Sequence, residues 1–153
     1  MPTFAPADPG YAARVRTSFD RQQVMRTIGA SLVSVAPGEV TIELPFRADL
    51  TQQHGFLHAG VVTTIADSAC GYAALSLMVP AAAVLTVEYK VNLLAPARGD
   101  RVIARGRVLR PGRTITVCEA DVVAVHAGGE QPVATMLATM IAVRERPDVP
   151  AGL

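Results

Sequence analysis

The sequence predicts an α+β fold: a curved antiparallel sheet wrapped around one long apolar helix, with a helical extension at the N-terminus. Three observations predict it. Residues 59–78 form a helix-length run that is apolar nearly all round. Such a helix must be covered on most of its surface. Six strand-like runs surround it in the chain, each bounded by Pro or Gly turn signals. Before the first strand the apolar residues recur at helical spacing instead.

The 153 residues suit a single domain. Its expected limits are residues 9–146, between a flexible tail at 1–8 and another at 147–153. In the extension, residues 9–28, Tyr11, Val15, Phe19, Val24 and Ile28 repeat at roughly helical intervals. Asp8 before Pro9 is a plausible helix start. The period then changes. Ala30 to Val35 and Val40 to Phe46 read as strands separated by Pro37-Gly38. In the second, Val40, Ile42, Leu44 and Phe46 share one face. A loop from Arg47 to Leu57 leads into the apolar helix, and Pro80 marks its stop. Four more strands follow: AVLTVEYKVNLLAPA, DRVIARGRVLR, RTITVCEADVVAV and QPVATMLATMIAVR. Turn signals at hairpin distances predict that these four pair antiparallel in succession.

Composition excludes several classes. The formal net charge is +1, from 14 basic and 13 acidic residues, which gives no case for nucleic acid or a membrane surface as partner. Residues 60–78 approach membrane-span length, but Asp67 and several Ser and Thr residues argue for a buried core helix. The N-terminus lacks the basic start and apolar core of a secretory signal. Cys70 and Cys118 stand apart in apolar surroundings and read as small buried hydrophobes. A cytoplasmic protein is expected. His54 and His58 are four residues apart, but Gly55 favours a loop and no third ligand is near, so no metal site is expected.

Asp67 is the only carboxylate in the stretch QQHGFLHAGVVTTIADSACGYAA. A helix interior is an unfavourable place for aspartate, and desolvation disfavours its charge. Two readings stand: a carboxylate facing water or a basic partner, or a base or nucleophile pointing into a pocket. The start of the same helix bears on the choice. Its first N–H groups lack internal acceptors, and the helix dipole adds positive potential there. Ala59 and Gly60 are small enough for a ligand to approach the backbone. This is a donor set suited to an oxyanion or a polarised carbonyl. Asp67 lies about 12 Å further along the helix axis. That is too far for both to act on one carbonyl carbon within one chain. The same helix from a second, antiparallel copy would bring them together, so the spacing predicts a site shared across a homodimer interface.

The stretch HGFLHAGVVTTIADSACGYAA resembles the HGG-x6-D signature of hotdog-fold acyl-CoA thioesterases, especially the phenylacetate-degradation (PaaI-type) group. TVEYKVNLLAPARGDRV resembles the strand that crosses over their central helix, with its following turn. The likeness in element order covers Ala30 to Arg144. It implies a hotdog fold, two subunits joining their sheets, and each site taking its acid from one subunit and its carbonyl-binding loop from the other. By matching position, Asp67 is the general base or nucleophile and the Ala59 backbone N–H holds the thioester oxygen. Gln52 matches a polar residue near the thioester or the attacking water. His58 matches the histidine that shapes the loop, and Thr86 a residue that helps place the water. Ala59 departs from the usual glycine. The backbone donor survives that change if the position does not demand a positive φ.

The expected reaction is hydrolysis of an acyl- or aryl-CoA ester to the free acid and coenzyme A. No cofactor is expected, the coenzyme A moiety being part of the substrate. Gly60, Phe56 and Leu57 are candidate substrate contacts. Among a cluster of arginines, Arg110 and Arg113 of the RPGR turn are the candidates for its phosphates; a solvated strand face is the competing reading of that cluster. A homodimer, or a homotetramer built as a dimer of dimers, is expected. Two other readings are a hotdog enoyl-thioester hydratase or dehydratase, and a non-catalytic acyl-CoA binding protein. The first usually pairs a histidine with the acid, and no histidine follows Asp67 on its helix.

Overall fold

The structure is a computed structural model and describes residues 3–144. The expected tail at 147–153 lies outside the described residues. The chain runs α1 (Tyr11–Arg21), α2 (Gln23–Ile28), β1 (Ser31–Ala36), β2 (Glu39–Pro45), a single 3-10 turn at Ala48–Leu50, α3 (Ala59–Leu75), β3 (Ala83–Leu93), β4 (Arg101–Arg110), β5 (Ile115–His126) and β6 (Gly129–Val143). Six strands form one antiparallel sheet in the order β1-β2-β4-β5-β6-β3. The long helix α3 packs against β2, β4, β5, β6 and β3.

The apolar composition of α3 explains its position. Val62, Ile65, Ala66, Ala69, Cys70, Ala73, Ala74 and Leu75 are buried against Ile42, Leu44, Val102, Ala104, Cys118, Ala120 and Met140. Each large aliphatic side chain so buried contributes about 1.5–3 kcal/mol. Small residues let the helix come close to the sheet. A Cβ on Gly106 of β4 would stand 2.4 Å from the Ala69 carbonyl carbon. One stripe of α3 escapes this cover. Gly60, Thr63, Thr64, Asp67 and Gly71 are only partly buried or exposed, and they recur at helical spacing on one face.

Two expectations need correction. Strand β3 does not pair with its successor β4. It crosses to the far edge and pairs with β6, from Ala83↔Val143 to Leu93↔Ala134, while β4 pairs with β2. The link from β3 to β4 docks on the loop before α3, where the Leu57 N–H donates to the Ala97 carbonyl at 2.9 Å. Helix α3 ends at Leu75, not Met78. Ser76 ends it by donating to the Ala73 carbonyl and accepting the Gly38 N–H at 2.8 Å, which ties the helix end to the β1–β2 turn. The helical extension forms as two helices, α1 and α2, separated at Gln22 by an extended ψ of 100°.

The first described segment is anchored at two points. Phe4 packs on the core beside Gly38. Asp8 pairs with Arg14 at 3.4 Å. Arg14 in turn donates to the carbonyls of Leu75, Met78 and Val79, the acceptors that α3 and its following turn leave open. Among the described residues, no helix is long and apolar enough to cross a membrane.

Candidate active site

The loop before α3 is a small hairpin. Thr51 bridges Leu57, the Gln52 N–H donates to the Phe56 carbonyl at 2.8 Å, and Gly55 turns the chain with φ 81°. The positive φ explains glycine at that corner. His58 is the N-cap of α3: its Nδ1 accepts the Gly60 N–H at 2.9 Å. With Gly60 so occupied, the first-turn donor left without a protein acceptor among the described residues is the Ala59 N–H. Ala59 is itself the first helical residue and lies outside the positive-φ region, so alanine is unstrained where glycine is usual.

Ala59 lines a cavity of about 450 Å³ together with Gln52, Phe56, Leu57, Val62, Val133 and the stretch Leu93–Ala97. Gln52 Oε1 accepts the His54 N–H in a short bond, which leaves the carboxamide nitrogen as a donor. The sequence candidates Gln52, Phe56, Leu57 and Ala59 are thus brought together.

Asp67 lies elsewhere. It lines a separate cavity of about 150 Å³ with Ser18, Gln22, Ser68, Tyr72 and Thr86. Thr86 Oγ1 donates to Asp67 Oδ1 at 2.8 Å. Burial pushes the Asp67 pKa above the usual carboxylate value, and the Thr86 hydroxyl, which favours the charged form, only partly offsets this. Among the described residues no arginine or lysine pairs with the carboxylate. Both cavities border the edge strand β3, one near Val84–Thr86 and the other near Leu93–Leu94. That edge is exposed and apolar: Leu85, Val87, Tyr89, Leu93 and Leu94 are each about half exposed.

Other candidates fall away from both cavities. Gly60, whose N–H is capped by His58, lines neither. Arg110 is exposed at the end of β4, and Arg113 borders a third cavity beside Ala74 and Met78, at the opposite end of α3 from Ala59. The reading of the arginine cluster as a strand face describes three of its members. Arg101 pairs with Glu43, Arg105 with Glu130, and Arg107 with Glu119 and Asp121. Arg98 differs: it is exposed, has no ion-pair partner among the described residues, and is the next residue after Ala97, which lines the 450 Å³ cavity. Cys70 and Cys118 are buried, as expected; burial raises both thiol pKa values, that of Cys118 to about 12. Neither offers a thiolate near neutrality. Sequence reasoning missed Ser18 and Gln22, because nothing local shows that α1 folds back over the acid.

A family model described as the thioesterase superfamily matches residues 54–129, from the hairpin through the end of β5. A thioesterase family protein from Silicibacter pomeroyi is 56% identical in sequence and superposes with a TM-score of 0.87, covering 88% of this chain and 99% of that one. A candidate esterase of Halobacterium salinarum is 36% identical over 117 residues, which are 73% of this chain and 77% of the relative. The human acyl-coenzyme A thioesterase 13 is 30% identical over 92 residues, 60% of this chain and 65% of that protein. The chain belongs to the thioesterase superfamily, and its curved sheet around one central helix is the hotdog fold.

Proposed function

We propose that the protein hydrolyses acyl- or aryl-CoA thioesters in sites shared by two copies of the chain. One observation carries this reading: Asp67 and the unoccupied Ala59 N–H stand on one helix but open into two different cavities, both along the exposed edge of β3. Two β3 strands paired antiparallel about a two-fold axis between Tyr89 and Lys90 set Thr86 of each copy opposite Leu93 of the other. The acid cavity of one copy then meets the donor cavity of its partner. The uncovered stripe of α3 and the apolar residues of β3 are buried by the same step, which also removes an exposed sheet edge.

The thioester carbonyl oxygen lies on the Ala59 N–H, with the Gln52 carboxamide beside it. Asp67 of the other copy takes a proton from water on Oδ2, since Oδ1 is held by Thr86. The hydroxide equivalent adds to the carbonyl carbon, and the negative charge that builds on oxygen is held by the Ala59 N–H. Collapse breaks the carbon–sulfur bond. The thiolate leaves readily, because a thiol is a far stronger acid than an alcohol, and it recovers the proton from Asp67. The name of the human relative, an acyl-coenzyme A thioesterase, supports the substrate class.

The test is complementation. Asp67→Asn and Ala59→Pro chains are each expected to release little thiol from benzoyl- or hexanoyl-CoA. Mixed and re-associated, they are expected to recover up to about a quarter of native activity, since half the random dimers then carry one intact site. No recovery in a confirmed mixed dimer would place both groups in the same chain's site and end the proposal.

A further inference from the structure

The 150 Å³ acid cavity has a neighbour. A groove of about 430 Å³ lies under α1, α2 and the start of β1, lined by Phe19, Met25, Ala30 and Leu32 with Arg16 and Arg26 among its polar residues. The two spaces share one lining residue, Gln22. Its position is fixed from three sides. The Gln22 N–H donates to the Phe19 carbonyl at 3.0 Å, and its own carbonyl accepts from the Met25 N–H at 3.1 Å. Ser68 Oγ on α3 donates to Gln22 Oε1 at 3.2 Å. The side chain therefore spans from the helix break to the wall of the acid cavity. Beside it the Phe19 and Tyr72 rings, 5.8 Å apart, belong one to each space.

We propose that Gln22 is a partition that closes the acyl end of the site and limits the enzyme to compact acyl groups. The inference rests on the hydrolase reading above. If Asp67 attends the acyl carbon and the wider cavity takes the coenzyme arm, the acyl group extends into the acid cavity. A space of about 150 Å³ accommodates one benzene-sized group. A ten-carbon chain does not fit there. With Gln22 shortened, the space beyond it joins the groove, where Phe19, Met25, Ala30 and Leu32 offer a chain apolar contacts.

The experiment compares benzoyl-CoA with decanoyl-CoA in the native protein, Gln22→Ala and Gln22→Met, each checked for folding by its thermal transition. It uses both thiol release and the affinity for the corresponding non-hydrolysable thioether analogues. The decanoyl-to-benzoyl ratio, in kcat/KM and in affinity, is expected to rise at least about tenfold in Gln22→Ala, within the range that a few methylenes command in an apolar pocket. In Gln22→Met, which restores the bulk without the amide, it is expected to return toward the native ratio. A folded Gln22→Ala protein with an unchanged affinity ratio overturns the partition. So does an equal rise in both variants, which would assign the limit to the amide's polarity. Absence of thiol release by the native protein from either ester defeats the hydrolase reading, while the affinity ratios still judge the partition by themselves.

Discussion

The hydroxyl of Thr86, on the edge strand, donates to Asp67 Oδ1, on the central helix, at 2.8 Å. This bond orients the carboxylate and favours its charged form, the state a general base needs. Thr86→Val is expected to lower kcat about tenfold, the effect of ~1.4 kcal/mol of lost positioning. It also removes the influence that opposes burial, so the acid limb of the kcat/KM profile is expected to move to higher pH. A pH–rate series on both proteins checks the direction. An unmoved limb would separate Thr86 from the acid's chemistry.

Asp67→Asn is expected to reduce kcat by at least about 10²-fold while leaving the circular dichroism spectrum unchanged. The pKa direction also predicts its stability. Burial raises the folded pKa of Asp67 above 3.8, so the folded chain holds this proton where the unfolded chain has released it. The group's favourable contribution is therefore full below the unfolded pKa and is lost as pH rises through the folded one. At neutral pH the ionised acid weakens the fold, and the amide does not. Denaturant titration at pH 7 is expected to find the variant at least as stable as the native protein, with the difference shrinking toward pH 4.

Ala59→Pro deletes the proposed oxyanion donor at a helix position where proline is well tolerated. Turnover is expected to fall about 10²–10³-fold with the fold kept. Ala59→Gly retains the donor and is expected to stay active, with at most about 1 kcal/mol less stability. Equal turnover in the proline variant would remove the donor from the mechanism.

Arg98→Glu is expected to raise KM for an acyl-CoA about fivefold, as suits ~1 kcal/mol of exposed charge pairing, with little change in kcat. The effect should fade as salt is added. The same exchange at Arg110 is expected to do less, because that residue stands at the far end of β4 from the Leu93–Ala97 stretch that lines the larger cavity.

Gly106→Ala is expected to destabilise the chain by about 3 kcal/mol or more, since backbone cannot yield as a side chain can. The added Cβ would meet the Ala69 backbone at 2.4 Å and push α3 off β4. A fall in thermal midpoint together with lost turnover is the expected result.

Much of this arrangement was legible in the sequence. The apolar run with one acid announced a covered helix, and the loop-like residues ahead of it announced where that helix starts. The order of the strands was not legible. The seven residues between β3 and β4 look like a hairpin link, but they bond instead to β6 at Val133, to Leu57 before α3, and to β5 at Val125. Sequence neighbours pair often, not always. The arginines show the same limit. Arg107 is neutralised because register puts Glu119 opposite it, and register is a property of the assembled sheet. Gln22 was hidden for a related reason: its role depends on how α1 lies over α3, and no local pattern encodes that.

The donor and the acid are mounted on a single stiff rod, and the chain between them is the gauge that sets their interval. Exchanging one small residue for another along the rod leaves the interval intact. Adding or deleting one residue between Gly60 and Ala66 swings the acid by about 100° around the axis and out of its cavity. Because two copies would carry the same rod, one such change disables both reaction centres at once. On the proposed mechanism this stretch tolerates substitution but not a change of length.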